Sequence, residues 1–401
     1  MGNRAVNDFN LELKRCLDTV REQNLFRELR RVDSAQGPRI VIGGKTYLNF
    51  SSNDYLGLAN DPVLKEASIK AVERFGAGAG AARLICGSLG PFHELEKTLA
   101  DFKRAEAALT FSTGYATAIG TVCALAGKDD IIILDKLVHA SIVDAARLSG
   151  AKLRVFAHND LNDLEDKLKW ANQKARIQNP EPRILIATES VFSMDGDAAP
   201  LRDIVTLKEK YGAWLMVDEA HATGIIGENG RGLADKLGVS EQVEIQMGTL
   251  GKALGASGGF ICGSRVLIDC LINRARSFIF STSPVPAAAA AATAAIQLVQ
   301  SAEGNKRQKH LRAQVAEFQL QIANSKSQIP GAIIPIIIGD ESEAVAAAAK
   351  LRDQSIFVPA IRYPTVARGK ARLRVTLTAA HSADDVATLI RALEQIVNRK
   401  S

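Results

Sequence analysis

Tyr211-Gly212-Ala213-Trp214-Leu215-Met216-Val217-Asp218-Glu219-Ala220-His221 passes from a glycine turn through an apolar run into two acids and a histidine. A run this short, closed by charge, reads as a buried strand whose end carries Asp218. The same pattern recurs on either side. Ala107 to Phe111, Ile131 to Leu134, Leu153 to Phe156, Ile184 to Thr188, Ile245 to Met247 and Phe260 to Cys262 are short apolar runs separated by helical patterns. Such alternation predicts an α/β fold, a mostly parallel sheet covered by helices. Ligands of such folds bind beyond the carboxyl ends of the strands.

Lys252, inside Thr249-Leu250-Gly251-Lys252-Ala253-Leu254-Gly255-Ala256-Ser257-Gly258-Gly259, follows Asp218 by about one βαβ unit. Both side chains therefore emerge on one edge of the sheet. A lysine among small turn-forming residues can bring its amine to a carbonyl cofactor, and a desolvated amine loses its proton readily enough to form a Schiff base. A carboxylate against a pyridine nitrogen keeps that nitrogen protonated, as an electron sink requires. Taken singly, Asp218 reads as an ordinary strand-to-helix turn and Lys252 as a solvated loop residue. Together they point to pyridoxal 5'-phosphate (PLP).

Ser112-Thr113-Gly114-Tyr115-Ala116-Thr117 lies after a strand and before a helical stretch, where backbone amides can face a phosphate. His139 and His221 each follow a strand end, where an imidazole can stack on a ring or hydrogen-bond to it. His93, His158, His310 and His381 read as surface or capping residues. Gly76-Ala77-Gly78-Ala79-Gly80 follows a helical pattern, Leu64 to Phe75, so it lacks the preceding strand that a dinucleotide fingerprint needs.

At 401 residues with a net charge of +6, the chain has the size and balance of a soluble globular protein of two domains. The expected division is an N-terminal helix and leading segment at 1–50, a large PLP-binding α/β domain at 51–295, and a smaller C-terminal α+β domain at 296–401. The cleft between the two larger parts is the default ligand site. The alanine-rich stretch from Val285 to Ala295 is too short to cross a membrane, and the charged N-terminus does not read as a targeting signal. A cytoplasmic location is expected, with no membrane partner. The five cysteines form no CxxC pair, so reduced, mostly buried thiols are expected, with neither a disulfide framework nor a metal site. The positive charge suits an anionic small-molecule carrier, yet no lysine and arginine run marks a nucleic-acid surface.

Residues 5 to 31 predict an amphipathic opening helix, with Phe9, Leu13, Leu17 and Val20 at helical spacing. The last third predicts a charged helix at 303–326, strands near 333–338, 356–361 and 372–377, a helix near 341–353, and a closing helix capped by Ser382 with Asp385 at its third position.

With these pieces assembled, the chain resembles the α-oxoamine synthases, fold type I PLP enzymes that condense an amino acid with an acyl thioester and release carbon dioxide. The resemblance runs from about Leu25 to Val397. It is carried by Asn49-Phe50-Ser51-Ser52-Asn53-Asp54-Tyr55-Leu56-Gly57, Val191-Phe192-Ser193-Met194-Asp195-Gly196-Asp197, Asp218-Glu219-Ala220-His221 with Gly224, and Thr376-Leu377-Thr378-Ala379-Ala380-His381. It implies that Lys252 forms the Schiff base, Asp218 holds the pyridinium and His139 stacks on the ring. By the same resemblance His221 and Ser193 bond near the phenolic oxygen, while Thr249 and the backbone of Gly114 and Tyr115 hold the phosphate.

A homodimer with shared active sites is implied too, with Thr282 of Ser281-Thr282-Ser283 reaching the partner's phosphate. Arg362, with Thr365 and Asn53 nearby, matches the grip on the amino acid's carboxylate. Arg27 matches a substrate arginine suited to the far carboxylate of a pimeloyl chain. The resemblance is strongest to the branch that joins L-alanine to a pimeloyl thioester, on coenzyme A or acyl carrier protein, in biotin synthesis. Ala81-Ala82-Arg83-Leu84-Ile85-Cys86-Gly87 resembles in part the branch that acetylates glycine. An acetyl donor has no distal carboxylate, so Arg27 is the discriminating residue. The reading outside catalysis is a dimeric binding protein on a degenerate cofactor fold, against which the intact lysine, aspartate and histidine set weighs.

Overall fold

The structure, a computed structural model, describes residues 2–23, 25–175, 181–322 and 331–397. Its contacts divide the chain into a smaller unit, Met1–Ser52 with Ile333–Thr376 and His381–Ser401, and a larger one, Asn53–Ala332 with Leu377–Ala380. In chain order the strands are β1 (Arg39–Ile42), β2 (Lys45–Asn49), β3 (Ala107–Phe111), β4 (Ile131–Asp135), β5 (Lys152–Phe156), β6 (Ile184–Glu189), β7 (Trp214–Asp218), β8 (Ile245–Thr249), β9 (Gly259–Gly263), β10 (Ile333–Gly339), β11 (Ile356–Phe357), β12 (Ala360–Ile361) and β13 (Ala371–Thr376).

The larger unit is built on a sheet of seven strands in the order β3-β9-β8-β7-β6-β4-β5. All the apolar runs read from the sequence are in it. Strands β5, β4, β6, β7 and β8 are mutually parallel. Strand β9 is antiparallel to both β8 and β3, so β3 points the same way as the parallel five. The carboxyl ends of six strands thus share one edge. Strands β3, β4 and β6 are buried along their whole length, as expected of strands covered by helices on both faces.

The expected division after residue 295 falls inside a helix, Pro286–Gln300, and the larger unit extends through the next helix, Ala302–Gln321. Alanines 289, 292 and 295 of the first helix are almost fully buried, so this helix belongs to a core and marks no boundary. The charged helix stops at Gln321; positions 323–326 of its expected span lie outside the described residues.

In the smaller unit β1 and β2 form a hairpin across Gly43 and Gly44, both at positive φ, the backbone that a tight two-residue turn requires. The opening helix ends at Glu22, short of the expected residue 31. Its apolar spacing stops at Val20, and the carbonyl of Phe26 accepts a hydrogen bond from Arg362 at 3.0 Å in place of a helical partner. The strand expected at 356–361 is two short strands in different sheets. Ile356 and Phe357 pair with β2, and Ala360 and Ile361 pair with β13. Pro359, which lacks an N–H, falls at the switch.

The closing helix begins as expected: Asp385 N–H donates to Ser382 Oγ, and Ser382 N–H to Asp385 Oδ2, a reciprocal capping box. Three expectations about side chains are corrected. Among the cysteines Cys262 is buried while Cys16 and Cys86 are exposed. His381 is a core residue, its ring 4.2 Å from that of Phe50 and its Nε2 bonded to the carbonyl of Asn49. His158 is a bridge between two aspartates, described below.

Candidate active site

Five strand ends on one sheet edge lead into the residues singled out by the sequence. Strand β3 leads to Gly114 and Tyr115, β4 to His139, β6 to Ser193, β7 to Asp218 and His221, and β8 to Thr249 and Lys252. The topology alone explains the grouping, since parallel strands deliver their following loops to the same side.

Lys252 Nζ lies 2.8 Å from His221 Nε2. The other ring nitrogen, Nδ1, lies 2.5 Å from the hydroxyl of Tyr55, which in turn donates to Asn53 Oδ1 at 3.2 Å. Tyr55 is completely buried. Hydrogen bonds therefore run from the lysine amine through an imidazole and a phenol to the Asn53 side chain.

Asp218 is buried, and its Oδ1 accepts the N–H of Ala220 at 2.9 Å. Burial pushes its carboxyl group up, against the opposing pull of the Lys252 charge. His139 caps the helix Ala140–Ser149, and its Nδ1 accepts the N–H of Ser141. Its hydrogen is therefore assigned to Nε2. The ring has a solvent-exposed side. The protein packed around the rest lowers it below the ordinary histidine value despite the attraction of Asp218, so it is neutral at pH 7.

At the β3 end, Thr113 caps the helix Gly114–Leu125 by accepting the N–H of Ala116. The first amides of a helix have no partner within it and favour an anion. Thr249 stands close by, since a Cβ built on Gly114 would lie 3.9 Å from Thr249 Oγ1. Strand β9 passes so near that a Cβ on Gly259 would come within 2.8 Å of Gly114 Cα. Tyr115 is exposed, and its hydroxyl donates to Asp144.

Two ionic networks brace these loops. Lys103 and Glu219 form a fully buried pair at 2.5 Å; Glu219 also accepts the N–H of Ala234, and Lys103 donates to the carbonyl of Arg231. This fixes the turn between Asp218 and His221. His158 bridges Asp135 at 2.9 Å and Asp197 at 2.8 Å, tying the end of β4 to the loop that carries Ser193.

Arg27, Arg362 and Thr365 belong to the smaller unit. Arg362 Nη2 bonds the carbonyl of Phe26, which puts Arg362 beside the segment holding Arg27, and Thr365 N–H bonds back to the Arg362 carbonyl. Thr282 is exposed and forms a single bridge with Ala82. Arg83, in the segment resembling the glycine-acetylating branch, is buried and paired with Glu96 through two hydrogen bonds.

The sequence reading missed Tyr55 and Glu189. Tyr55 sat within a quoted motif without a role. Glu189 closes β6 as Asp218 closes β7, and an acid ending a wholly apolar run was the signal that could have found it.

A mostly parallel sheet that gathers a lysine, a buried aspartate and two histidines at its carboxyl edge defines a fold type I cofactor enzyme. The chain belongs to the family described as class I and II aminotransferases, which it matches over residues 45–393. A curated 8-amino-7-oxononanoate synthase from Geotalea daltonii is 47% identical over 383 residues, covering 95% of this chain and 96% of the relative. A serine palmitoyltransferase from S. paucimobilis, solved with a bound PLP–myriocin aldimine, superimposes with a TM-score of 0.88 at 28% identity over 97% of each chain. The 8-amino-7-oxononanoate synthase from Francisella tularensis gives a TM-score of 0.75 at 27% identity, covering 88% of this chain and 98% of that one.

Proposed function

We propose that the protein is a PLP-dependent acyltransferase that joins L-alanine to a pimeloyl thioester, releasing carbon dioxide and the thiol carrier and yielding 8-amino-7-oxononanoate for biotin synthesis. The observation that carries this reading is the convergence of Lys252, His221, Asp218 and His139 at one sheet edge, in a chain 47% identical to a synthase of that name.

The donor set fits PLP group by group. The amides of Gly114 and Tyr115 with Thr249 would take the phosphate, Asp218 the ring nitrogen, Lys252 the aldehyde carbon, and His221 and Ser193 the region of the phenolic oxygen. His139 would lie against the ring. When bound, PLP supplies an electron sink for the pair left on the amino acid's α-carbon.

The chain's own groups do the rest. The anion of Asp218 keeps a proton on the ring nitrogen, and burial strengthens that pairing. Arg362, with Thr365 and Asn53, grips the carboxylate of alanine and so orients its Cα–H bond. Lys252 Nζ, held by His221 Nε2, is the base that takes the α-proton. His139 is neutral with its hydrogen on Nε2, and can donate it to the thioester carbonyl as charge develops there. Arg27 pairs with the distal carboxylate of the pimeloyl chain.

The acyl carrier is coenzyme A or acyl carrier protein, for which the net charge of +6 is suited. The working form is a homodimer in which Thr282 reaches the partner's phosphate site. The exposure of Thr282 and of Phe9, Leu13 and Leu17 on the opening helix supports this. The enzyme works in the cytoplasm without a membrane or nucleic-acid partner. Among the described residues no helix is long and apolar enough to cross a membrane.

Lys252→Ala is expected to abolish both turnover and the imine absorbance band; survival of either refutes the role of Lys252. A matrix of alanine, glycine and serine against pimeloyl, acetyl and longer donors, with products identified by mass, tests the substrates.

A further inference from the structure

Glu189 ends β6 in register with Asp218 at the end of β7. In-register residues of adjacent parallel strands project to the same face, so two carboxyl groups lie side by side. Glu189 is 2% exposed and Asp218 5%. Facing Glu189 are Asp218, the Lys252 ammonium, and the backbone N–H groups of His139 and Ser193, which donate to its carboxyl group. Its Oε1 is buried without a hydrogen-bond partner among the described residues.

Two buried carboxylates sharing one nearby ammonium cannot both stay ionised at low cost. The charge settles on Asp218, whose anion is favoured by Lys252, the Ala220 N–H and His139. Burial and the neighbouring Asp218 push Glu189 up to about 8. Geometry supplies a second argument. His139 follows β4 and Ser193 follows β6, so they lie on separate loops, and a single carboxyl group accepts an N–H from each.

We propose that Glu189 is a positioning residue of the cofactor site: as a neutral carboxylic acid it ties the His139 and Ser193 loops together beside Asp218, leaving Asp218 as the single negative charge offered to the pyridinium. The inference rests on the PLP reading above and deepens it. Glu189 does not touch the reacting atoms; it acts through the backbone that holds His139 and Ser193, and through the charge it withholds.

The test compares wild type, Glu189→Gln and Glu189→Ala by PLP titration and by the pH midpoint of the imine absorbance band. Glutamine keeps a neutral acceptor at the same place, so its midpoint is expected within about 0.3 pH units of wild type. Alanine removes the shared acceptor of two buried N–H groups, and PLP is expected to bind about tenfold more weakly or worse. A midpoint moved by about one unit in Glu189→Gln means that Glu189 is ionised and overturns the proposal. Wild-type PLP affinity in folded Glu189→Ala overturns it equally. Circular dichroism checks folding, and if the alanine variant does not fold, the glutamine midpoint decides. A wild type that forms no imine band with PLP refutes the cofactor reading itself and this proposal with it, and that failure is recognised because it occurs before any substitution.

Discussion

Lys252 Nζ and His221 Nε2 are 2.8 Å apart, and this contact fixes the hydrogen on the imidazole. An ammonium only donates, so Nε2 accepts and the ring hydrogen sits on Nδ1. The Tyr55 oxygen, 2.5 Å from Nδ1, receives it, while the Tyr55 hydrogen goes to Asn53 Oδ1. Tyr55 comes from a turn segment far earlier in the chain than His221. Its hydroxyl is what allows the imidazole to present a lone pair to the catalytic amine.

Tyr55→Phe keeps the packed ring and deletes that acceptor. A buried donor that loses its partner costs about 1–3 kcal/mol. The variant is expected to unfold at a lower temperature, and its kcat to fall by about tenfold or more if that energy is expressed in the rate. Thermal unfolding and steady-state kinetics read both effects. Unchanged kcat alongside reduced stability would make Tyr55 a packing residue only.

Gly259→Ala tests the phosphate end. The added Cβ would lie 2.4 Å from Thr117 Oγ1 and 2.8 Å from Gly114 Cα, and backbone so close cannot yield as a side-chain tip can. Overpacking of this kind costs about 1–3 kcal/mol. Because the strain falls on the turn that would hold the phosphate, PLP affinity is expected to drop by about tenfold, measured by absorbance titration. A variant that is merely less stable, with PLP affinity intact, would separate this turn from the phosphate site.

The sequence made the sheet legible because its strands are apolar on both faces and end in charge, as in the run from Trp214 to Asp218. It also made the site legible where chemistry alone selects a residue, as with Lys252 and Asp218. It failed where function depends on a neighbour that only folding supplies. Tyr55 gains its role from His221, and His158 its role from Asp135 and Asp197. The opening helix was overextended because the commitment of the Phe26 carbonyl to Arg362 leaves no local trace. The two short strands about Pro359 could not be divided between sheets before their partners were known.

His158 gives a pH signature. Burial opposes its charge, but Asp135 and Asp197 outweigh that and raise it from the ordinary value of 6.5 to about 10. The folded value exceeds the unfolded one, so its stabilising contribution is complete below pH 6.5 and is lost as the pH rises through about 10. His158→Gln is expected to cost about 2–3 kcal/mol at pH 6, with the gap to wild type closing steadily between pH 6.5 and 10. Urea unfolding of both proteins across that range measures it. A gap independent of pH would mean that the histidine is held by packing and neutral hydrogen bonds.

Arg27→Ala separates the pimeloyl donor from its relatives. Arg27 is exposed, in the segment that Arg362 ties down through Phe26, and a guanidinium bonded to a carboxylate contributes about 1.5–3 kcal/mol. The KM for a pimeloyl thioester is expected to rise by about tenfold or more with kcat little changed, because a contact remote from the reacting carbon binds ground and transition states alike. A heptanoyl thioester has the same length but ends in a methyl group, so it gains nothing from Arg27 and its kinetic constants are expected to be unaffected. The ratio of kcat/KM for the two donors, measured in wild type and variant, isolates the distal charge from chain length. If the ratio does not move, Arg27 does not read that carboxylate, and the donor's far end is recognised by another group.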